Sequence, residues 1–284
     1  MSIQYSGSTL INNTYTSDGT LAGMQSWLIS ELEAAGWTVS SGSGSDITLV
    51  SATTPQGLNI YFRFYNPGTG NCIQITMLSL LPSNTSSIAY FLPVSGVTYR
   101  IVANKYQFFA FASGSTYAGV ARYNVMGGVP WVPAAVAASI GTYTTCGWML
   151  RSGTSDADTS SSQTFRGFLG SYNPHRNTSS IWRGTLNEYS GDSDPLGVQC
   201  ELRGQAGSRN CNRLWADGSY KTFEAFIGWY DNTLQTVATV GQIWDAIIVG
   251  AQFAGESTYS FDGHTYLAIT DASEDYFTLF VAVG

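Results

Sequence analysis

The chain has 284 residues, a length that suits one large β domain or two smaller ones, and only 11% of its residues are charged. The formal net charge of −7 argues against a nucleic-acid partner, because such a partner requires a clustered basic surface. We expect no membrane-spanning helix and no secretory signal, because no run of about 18 apolar residues occurs and the first residues lack a basic segment followed by an apolar one.

The first predicted element is a helix over residues 21–35. Apolar side chains recur there at steps of three and four residues, which places them on one helical face: Leu21, Met24, Leu28, Leu32 and Ala35. Asp18 or Thr20 can cap the N-terminus of this helix, and Gly36 is a typical stop after its last turn.

Strands are predicted after the helix, because the apolar period changes to two. Alternation between residues 37 and 77 indicates an antiparallel β-meander. The clearest hairpin is YRIVANKYQFFAFA at 99–112, with its turn expected at Asn104-Lys105, where Asn readily takes a positive φ. Short strands separated by polar turns follow from about 141 to 240, and Asp262-Gly263 predicts another tight hairpin turn.

The fold class predicted from these elements is mostly β (α+β), with antiparallel sheets and one N-terminal helix packed on a sheet. We expect two domains. Residues 1–135 form a helix plus an antiparallel β-meander, and residues 136–284 form an antiparallel domain that resembles a sandwich or a barrel. No internal repeat of fixed period is present, which argues against a propeller or a solenoid.

Three segments carry distinctive aromatic and glycine patterns. The segment at 23–39 is a helical pattern followed by Gly-Trp. The segment at 99–124 is an aromatic hairpin that leads into Tyr117-Ala118-Gly119, and the segment at 261–283, FDGHTYLAITDASEDYFTLFVAV, is a closing hairpin. In this order they resemble a family of virion structural proteins of tailed bacteriophages that infect Gram-negative hosts. The resemblance implies a tail, baseplate or capsid-surface component that is assembled in the cytoplasm of the bacterial host.

The low content of charged residues also predicts surfaces that become covered. Polarity comes mainly from Ser, Thr, Asn, Gln, Gly and Tyr, which lose water at a smaller cost than ions. Such surfaces suit burial against neighbouring proteins or contact with sugars, although a secreted β domain can have the same composition. Aromatic residues in loops are the candidate interface or binding residues: Tyr117, Tyr123, Trp131, Tyr172, Trp215 and Tyr220.

We therefore expect a structural subunit that binds copies of itself and other virion proteins and has no enzymatic activity. The alternative is a carbohydrate-binding module for host attachment in the phage tail, because aromatic side chains also bind sugars. In that case a glycan on the host surface is a partner.

No pattern for catalysis, a metal ion or a cofactor stands out in the sequence. His175 and His264 both lie in turn-like contexts without a nucleophile motif. Asp156 and Asp158 offer oxygen atoms for calcium, but the full calcium-loop spacing is missing. Candidate carboxylates for glycoside cleavage are present without the repeats of a β-helical tailspike: Glu188, Asp192, Asp194, Glu201 and Glu224. The four cysteines are expected to be reduced, unless Cys200 and Cys211 bridge adjacent strands.

Overall fold

The computed structural model of the chain describes residues 3–78, 87–114, 123–139, 146–152, 163–169, 181–185, 222–231, 236–249, 256–269 and 278–284. The helices within these ranges are α1 (Leu21–Ala34) and α2 (Ala134–Ser139). The strands are β1 (Ile11–Thr16), β2 (Thr38–Ser43), β3 (Asp46–Val50), β4 (Tyr61–Tyr65), β5 (Ile73–Leu78), β6 (Ser87–Phe91), β7 (Thr98–Asn104), β8 (Gln107–Ala112), β9 (Asn124–Gly128), β10 (Cys146–Ser152), β11 (Gln163–Leu169), β12 (Ile181–Thr185), β13 (Thr222–Asp231), β14 (Thr236–Val249), β15 (Thr258–Phe261), β16 (His264–Ile269) and β17 (Thr278–Ala282).

These strands form three antiparallel sheets. The first sheet has the order β1-β7-β8-β9-β10-β11-β12, the second is the meander β2-β3-β4-β5-β6, and the third has the order β13-β14-β17-β16-β15. The prediction of a mostly β fold with antiparallel sheets and one N-terminal helix is therefore confirmed. Neither helix in the described ranges has the length and apolar character that crossing a membrane would require.

The sequence places α1 as predicted. Met24, Leu28 and Leu32 are completely buried, so the apolar face packs against strands of the first two sheets. Thr20 is the N-cap, since its Oγ1 accepts a hydrogen bond from the Gly23 amide at 3.0 Å. Gly36 ends the helix with φ +98°, a conformation that glycine adopts at little cost.

The first two sheets share one aromatic core. The Phe62 ring of β4 packs edge-on against the Phe108 ring of β8, with ring centroids 5.3 Å apart. The Trp37 ring packs edge-on against both, with centroids 5.9 Å from each. Its indole Nε1 donates a hydrogen bond to the Asn104 carbonyl at 2.9 Å. Such edge-to-face pairs each contribute about 0.5–1.5 kcal/mol beyond the burial of their area. The meander and the seven-stranded sheet are therefore fastened together near the turn between β7 and β8.

The hairpin of β7 and β8 differs from expectation at its turn. Asn104 pairs with Gln107, so the turn residues are Lys105 and Tyr106, one position later than predicted. Asn104 is not among the non-glycine residues with positive φ. Its side chain acts instead, because Oδ1 accepts hydrogen bonds from the amides of Tyr106 and Gln107 at 2.8 and 3.0 Å. The predicted role of a positive φ at Asn104 was wrong.

The turn at Asp262-Gly263 is confirmed. Asp262 has φ 48° and Gly263 has φ +80°, and Phe261 pairs directly with His264 across them. The seven-stranded sheet also runs past residue 135, since β9 pairs with β10. The division of the chain into domains 1–135 and 136–284 stays a prediction.

Candidate functional site

Two of the six predicted interface residues lie in the described part of the chain. Tyr123 and Trp131 are both half-buried and pack against the main core. The backbone of Trp131 also forms a β-bridge with Gln242, with hydrogen bonds of 2.9 and 2.8 Å in the two directions. Trp131 thus joins the loop before α2 to β14. The other four residues lie outside the described residues: Tyr117, Tyr172, Trp215 and Tyr220.

The strands at two described sheet ends carry no charge. β1 reads INNTYT, and by strand alternation its even-numbered residues Asn12, Thr14 and Thr16 share one face, which is exposed along its whole length. β2 reads TVSSGS, and all six of its residues are exposed. Natural edge strands are usually protected by charged residues, proline or bulges. Of these devices, β2 has a bulge between Val39 and Ser41, whereas β1 pairs with β7 in unbroken register.

The opposite face of β1 lies under the helix. The Tyr15 ring stacks on the Trp27 ring of α1 with centroids 5.2 Å apart. Asn13 donates a hydrogen bond from Nδ2 to Oε2 of Glu31 at 2.7 Å. The helix therefore holds one face of β1 in place, while the side chains of the other face are exposed and no described strand pairs with its outer edge.

A separate cleft of about 250 Å³ lies where the N-terminal segment crosses the third sheet. Its walls come from residues 5–8 and 10 on one side, and from β14, β16, the end of β17 and the two residues after it on the other. The lining residues are Tyr5, Ser6, Gly7, Ser8, Leu10, Asp245, His264, Ala282, Val283 and Gly284. It combines an apolar wall with one carboxylate side chain and two aromatic rings.

Asp245 is placed in this cleft by a distortion of β14. Phe226 pairs with Gln242 and Glu224 with Ile247, so residues 243–246 stand opposite Ala225 alone. Asp245 lies in this bulge with φ 53°, a left-handed conformation inside a strand. Bulges re-aim side chains, and a non-glycine residue with positive φ costs about 1–3 kcal/mol.

The Asp245 carboxylate is 6% exposed and is held by neutral donors. The Ser6 amide donates to Oδ1 at 2.7 Å, and the Ser6 hydroxyl donates to Oδ2 at 2.5 Å. Asn104 Nδ2 donates to the same Oδ2 at 2.6 Å. No ion pair joins Asp245 to any lysine or arginine in the described ranges. Among the described residues, the partners of this buried carboxylate are therefore neutral hydrogen-bond donors.

The aromatic side of the cleft is a stack of Tyr5 on His264. Their ring centroids lie 4.4 Å apart with an interplanar angle of 21°. The Tyr5 hydroxyl is 2.7 Å from that of Tyr266, and burial, followed by this hydrogen bond, raises the pKa of Tyr266 far above its usual range. Tyr266 thus stays neutral and anchors Tyr5, a residue that remains 39% exposed.

A further set of hydrogen bonds, formed by Gln107 and Trp244, holds the same bulge of β14. Gln107 donates from Nε2 to the Trp244 carbonyl, and its Oε1 accepts the Trp244 amide at 3.0 Å. The Trp244 indole donates to the Val129 carbonyl at 3.0 Å. Sequence reasoning missed Asp245, although an isolated acid inside the apolar run IWDAIIV was an available signal.

The described residues contain no group of three or more His, Cys, Asp and Glu side chains placed to hold a metal ion. Within the described ranges the Ser6 hydroxyl donates to Asp245, while His264 stacks on Tyr5. Several other residues considered from the sequence lie outside the described residues: Asp156, Asp158, His175, Glu188, Asp192, Asp194, Cys200, Glu201 and Cys211. No family model, curated protein or solved structure matches this chain.

Proposed function

We propose that the chain is a structural subunit of a tailed-bacteriophage virion, a component of the tail, baseplate or capsid surface. It assembles in the cytoplasm of the bacterial host through contacts with copies of itself and with other virion proteins. The resemblance of three segments to virion structural proteins and the low content of charged residues support this proposal. The structure adds an observation about how such contacts can form.

The observation that carries the proposal is the exposed edge strand β1. It pairs with β7 over six consecutive residues without a bulge, and it carries neither a charge nor a proline. An unprotected regular edge offers backbone N–H and C=O groups for pairing with another chain. A protein that stays alone normally blunts such an edge, so this one is suited to strand addition by a neighbour.

A substitution that charges this edge without disturbing the fold tests the proposal. Thr14 is exposed and lies directly opposite Arg100, whose Nε makes no hydrogen bond. Thr14→Glu therefore adds a charge to the edge and gives Arg100 a cross-strand partner of opposite sign. The matched control is Thr69→Glu, because Thr69 is exposed in the connection between β4 and β5.

The masses of the purified proteins are measured by size-exclusion chromatography with light scattering. We expect the wild type and Thr69→Glu to form multimers, and Thr14→Glu to give mainly smaller species. A wild type that remains monomeric at every concentration, or multimers that survive Thr14→Glu unchanged, would contradict assembly through β1. A search for the chain in purified virions tests the particle assignment separately.

A second candidate function is a carbohydrate-binding module for host attachment in the phage tail. It is favoured by Trp131, which is only partly buried and whose backbone is fixed by Gln242. A rigid, partly open aromatic face suits the apolar face of a sugar ring. A glycan array separates the two functions, since binding that Trp131→Ala abolishes supports attachment, while an array without binding removes this candidate.

A further inference from the structure

We infer that the cleft beside Asp245 binds a lysine side chain presented by another protein. This inference goes beyond the proposed function, because it concerns a site on the third sheet and not the β1 edge. It rests on the charge of the carboxylate, the apolar wall of the cleft and the open aromatic ring.

The first argument is the uncompensated charge of Asp245. A carboxylate has about four acceptor positions, and three donor groups already point at this one. All three donors are neutral, so within the described part of the chain one acceptor position and the negative charge remain without a partner. An ammonium group satisfies both needs, since hydrogen bonds between ionised partners are about twice as strong as neutral ones.

The second argument is the wall that leads to Asp245. Leu10, Ala282 and Val283 line the cleft and offer apolar surface beside a single carboxylate. A lysine side chain has the same division, with an apolar methylene stem and a charged end. A sugar ring fits less well, because most of its hydroxyl groups would face apolar atoms without a hydrogen-bond partner.

The third argument is Tyr5, whose ring lines the cleft while one of its faces is stacked on His264. Cations are attracted to the face of an aromatic ring within about 6 Å of its centroid. The hydroxyl of Tyr5 is fixed by Tyr266, so the ring is held in place before any ligand arrives. Asp245 and Tyr5 thus present two groups that favour a positive charge.

The charge of the whole chain indicates the kind of partner. The net charge of −7 attracts basic proteins and raises their rate of encounter. The chain itself contains only two lysines, Lys105 and Lys221, and Lys105 lies over the Tyr106 ring at 5.0 Å. A different and more basic protein is therefore the partner that fits this cleft.

The test uses the full chain and capped amino acids as probes. Nα-acetyl-lysine amide is titrated by NMR, with Nα-acetyl-norleucine amide as the neutral control of similar shape. We expect saturable binding of the lysine probe with shifts at Tyr5 and His264, and at least about tenfold weaker binding of the norleucine probe. Equal binding of both probes shows an apolar cleft only, and no binding of either overturns the inference.

Two variants locate the site. Asp245→Asn keeps the size of the side chain and tolerates a positive φ, so we expect at least about tenfold weaker binding of the lysine probe. Ser8→Lys supplies a tethered ammonium inside the cleft and should block binding of the lysine probe. Thr9→Lys should not block it, because Thr9 is exposed and does not line the cleft.

The pair Ser8→Lys and Thr9→Lys keeps the test decisive if Asp245→Asn does not fold. Unchanged binding of the lysine probe in a folded Asp245→Asn, or in Ser8→Lys, overturns the inference. Preferred binding of methyl glucoside over the lysine probe overturns it in favour of a sugar site. Since probe binding is measured on the isolated chain, its failure is distinguishable from a failure to form multimers.

Discussion

Asn104 donates a hydrogen bond from Nδ2 to Oδ2 of Asp245 over 2.6 Å, although 141 residues separate the two along the chain. The other end of the same amide, Oδ1, accepts the backbone amides of Tyr106 and Gln107. One buried side chain therefore closes the turn between β7 and β8 and also holds the bulge of β14. The seven-stranded sheet and the third sheet are positioned by the same residue.

Asn104→Ala should lower the free energy of unfolding by about 2–4 kcal/mol, because it leaves two buried amides and the buried Asp245 carboxylate with fewer partners. The matched control is Asn66→Ala. Asn66 accepts the Gly68 amide at 2.9 Å in an exposed turn, so its loss should cost less than about 1 kcal/mol. Urea unfolding measures both. Equal losses for the two variants would show that the contact with Asp245 contributes nothing.

Gly128→Ala should destabilise the protein by about 1–3 kcal/mol, since overpacking forces neighbouring atoms to move. A β-carbon at Gly128 would lie 2.5 Å from both the Gln107 β-carbon and the Tyr106 carbonyl oxygen. Gly263→Asn is the control, because no atom lies within 4 Å of a β-carbon there and Asn tolerates φ +80°. Thermal unfolding compares the two. A melting temperature unchanged in Gly128→Ala would mean that the backbone relaxes freely at this position.

Ser41→Lys on β2 should reduce assembly if this strand also serves as an interface, because a lysine on an edge opposes strand pairing. All residues of β2 are exposed, so the fold tolerates the change. Ser30→Lys is a chemically identical control on the exposed face of α1. Sedimentation velocity measures the distribution of species. The same distribution in both variants would limit assembly to β1 or to surfaces elsewhere.

The ion pair of Asp46 with Arg63 predicts a weak dependence of stability on pH. Arg63 donates to both carboxylate oxygens at 2.7 and 2.6 Å, and this hydrogen bonding lowers the pKa of Asp46 below its usual 3.8. Both side chains are more than 40% exposed, so solvent screening limits the contribution to less than about 1 kcal/mol.

The sign of that dependence follows from the lowered pKa. The stabilising contribution is complete above pH 3.8 and disappears as the pH falls through the lower pKa of the folded state. A double-mutant cycle with Asp46→Asn and Arg63→Met, measured by urea unfolding at pH 7 and below pH 3, gives the coupling energy. Coupling that persists undiminished at the lower pH would contradict this account.

Much of the fold is predictable because its signals are local. The 3.6-residue period of α1, its N-cap at Thr20 and the Asp262-Gly263 turn each depend on residues that are neighbours in the sequence. The alternation of the meander likewise needs only its own residues. The bounds of α1 and of this turn were predicted nearly as observed for that reason, whereas the observed meander continues past the predicted residue 77 to β6.

The cleft was not predictable, because its parts come from distant segments. Ser6, Asn104 and Asp245 come from the N-terminal segment, β7 and β14, and no spacing in the sequence relates them. The role of Asn104 was misjudged for the same reason. The Asn104 side chain forms a hydrogen bond with Asp245 on β14, so the positive φ that is typical of tight hairpin turns is not needed at this residue.

The crossing of the N-terminal segment over the third sheet has a consequence for biosynthesis. Tyr5 is translated more than 250 residues before its stacking partner His264 and its hydroxyl partner Tyr266. The contacts of Tyr5 with the third sheet therefore cannot form while the meander and the central strands are being made. Because pairings between distant residues form slowly, we expect docking of this segment on the third sheet to be a late step of folding.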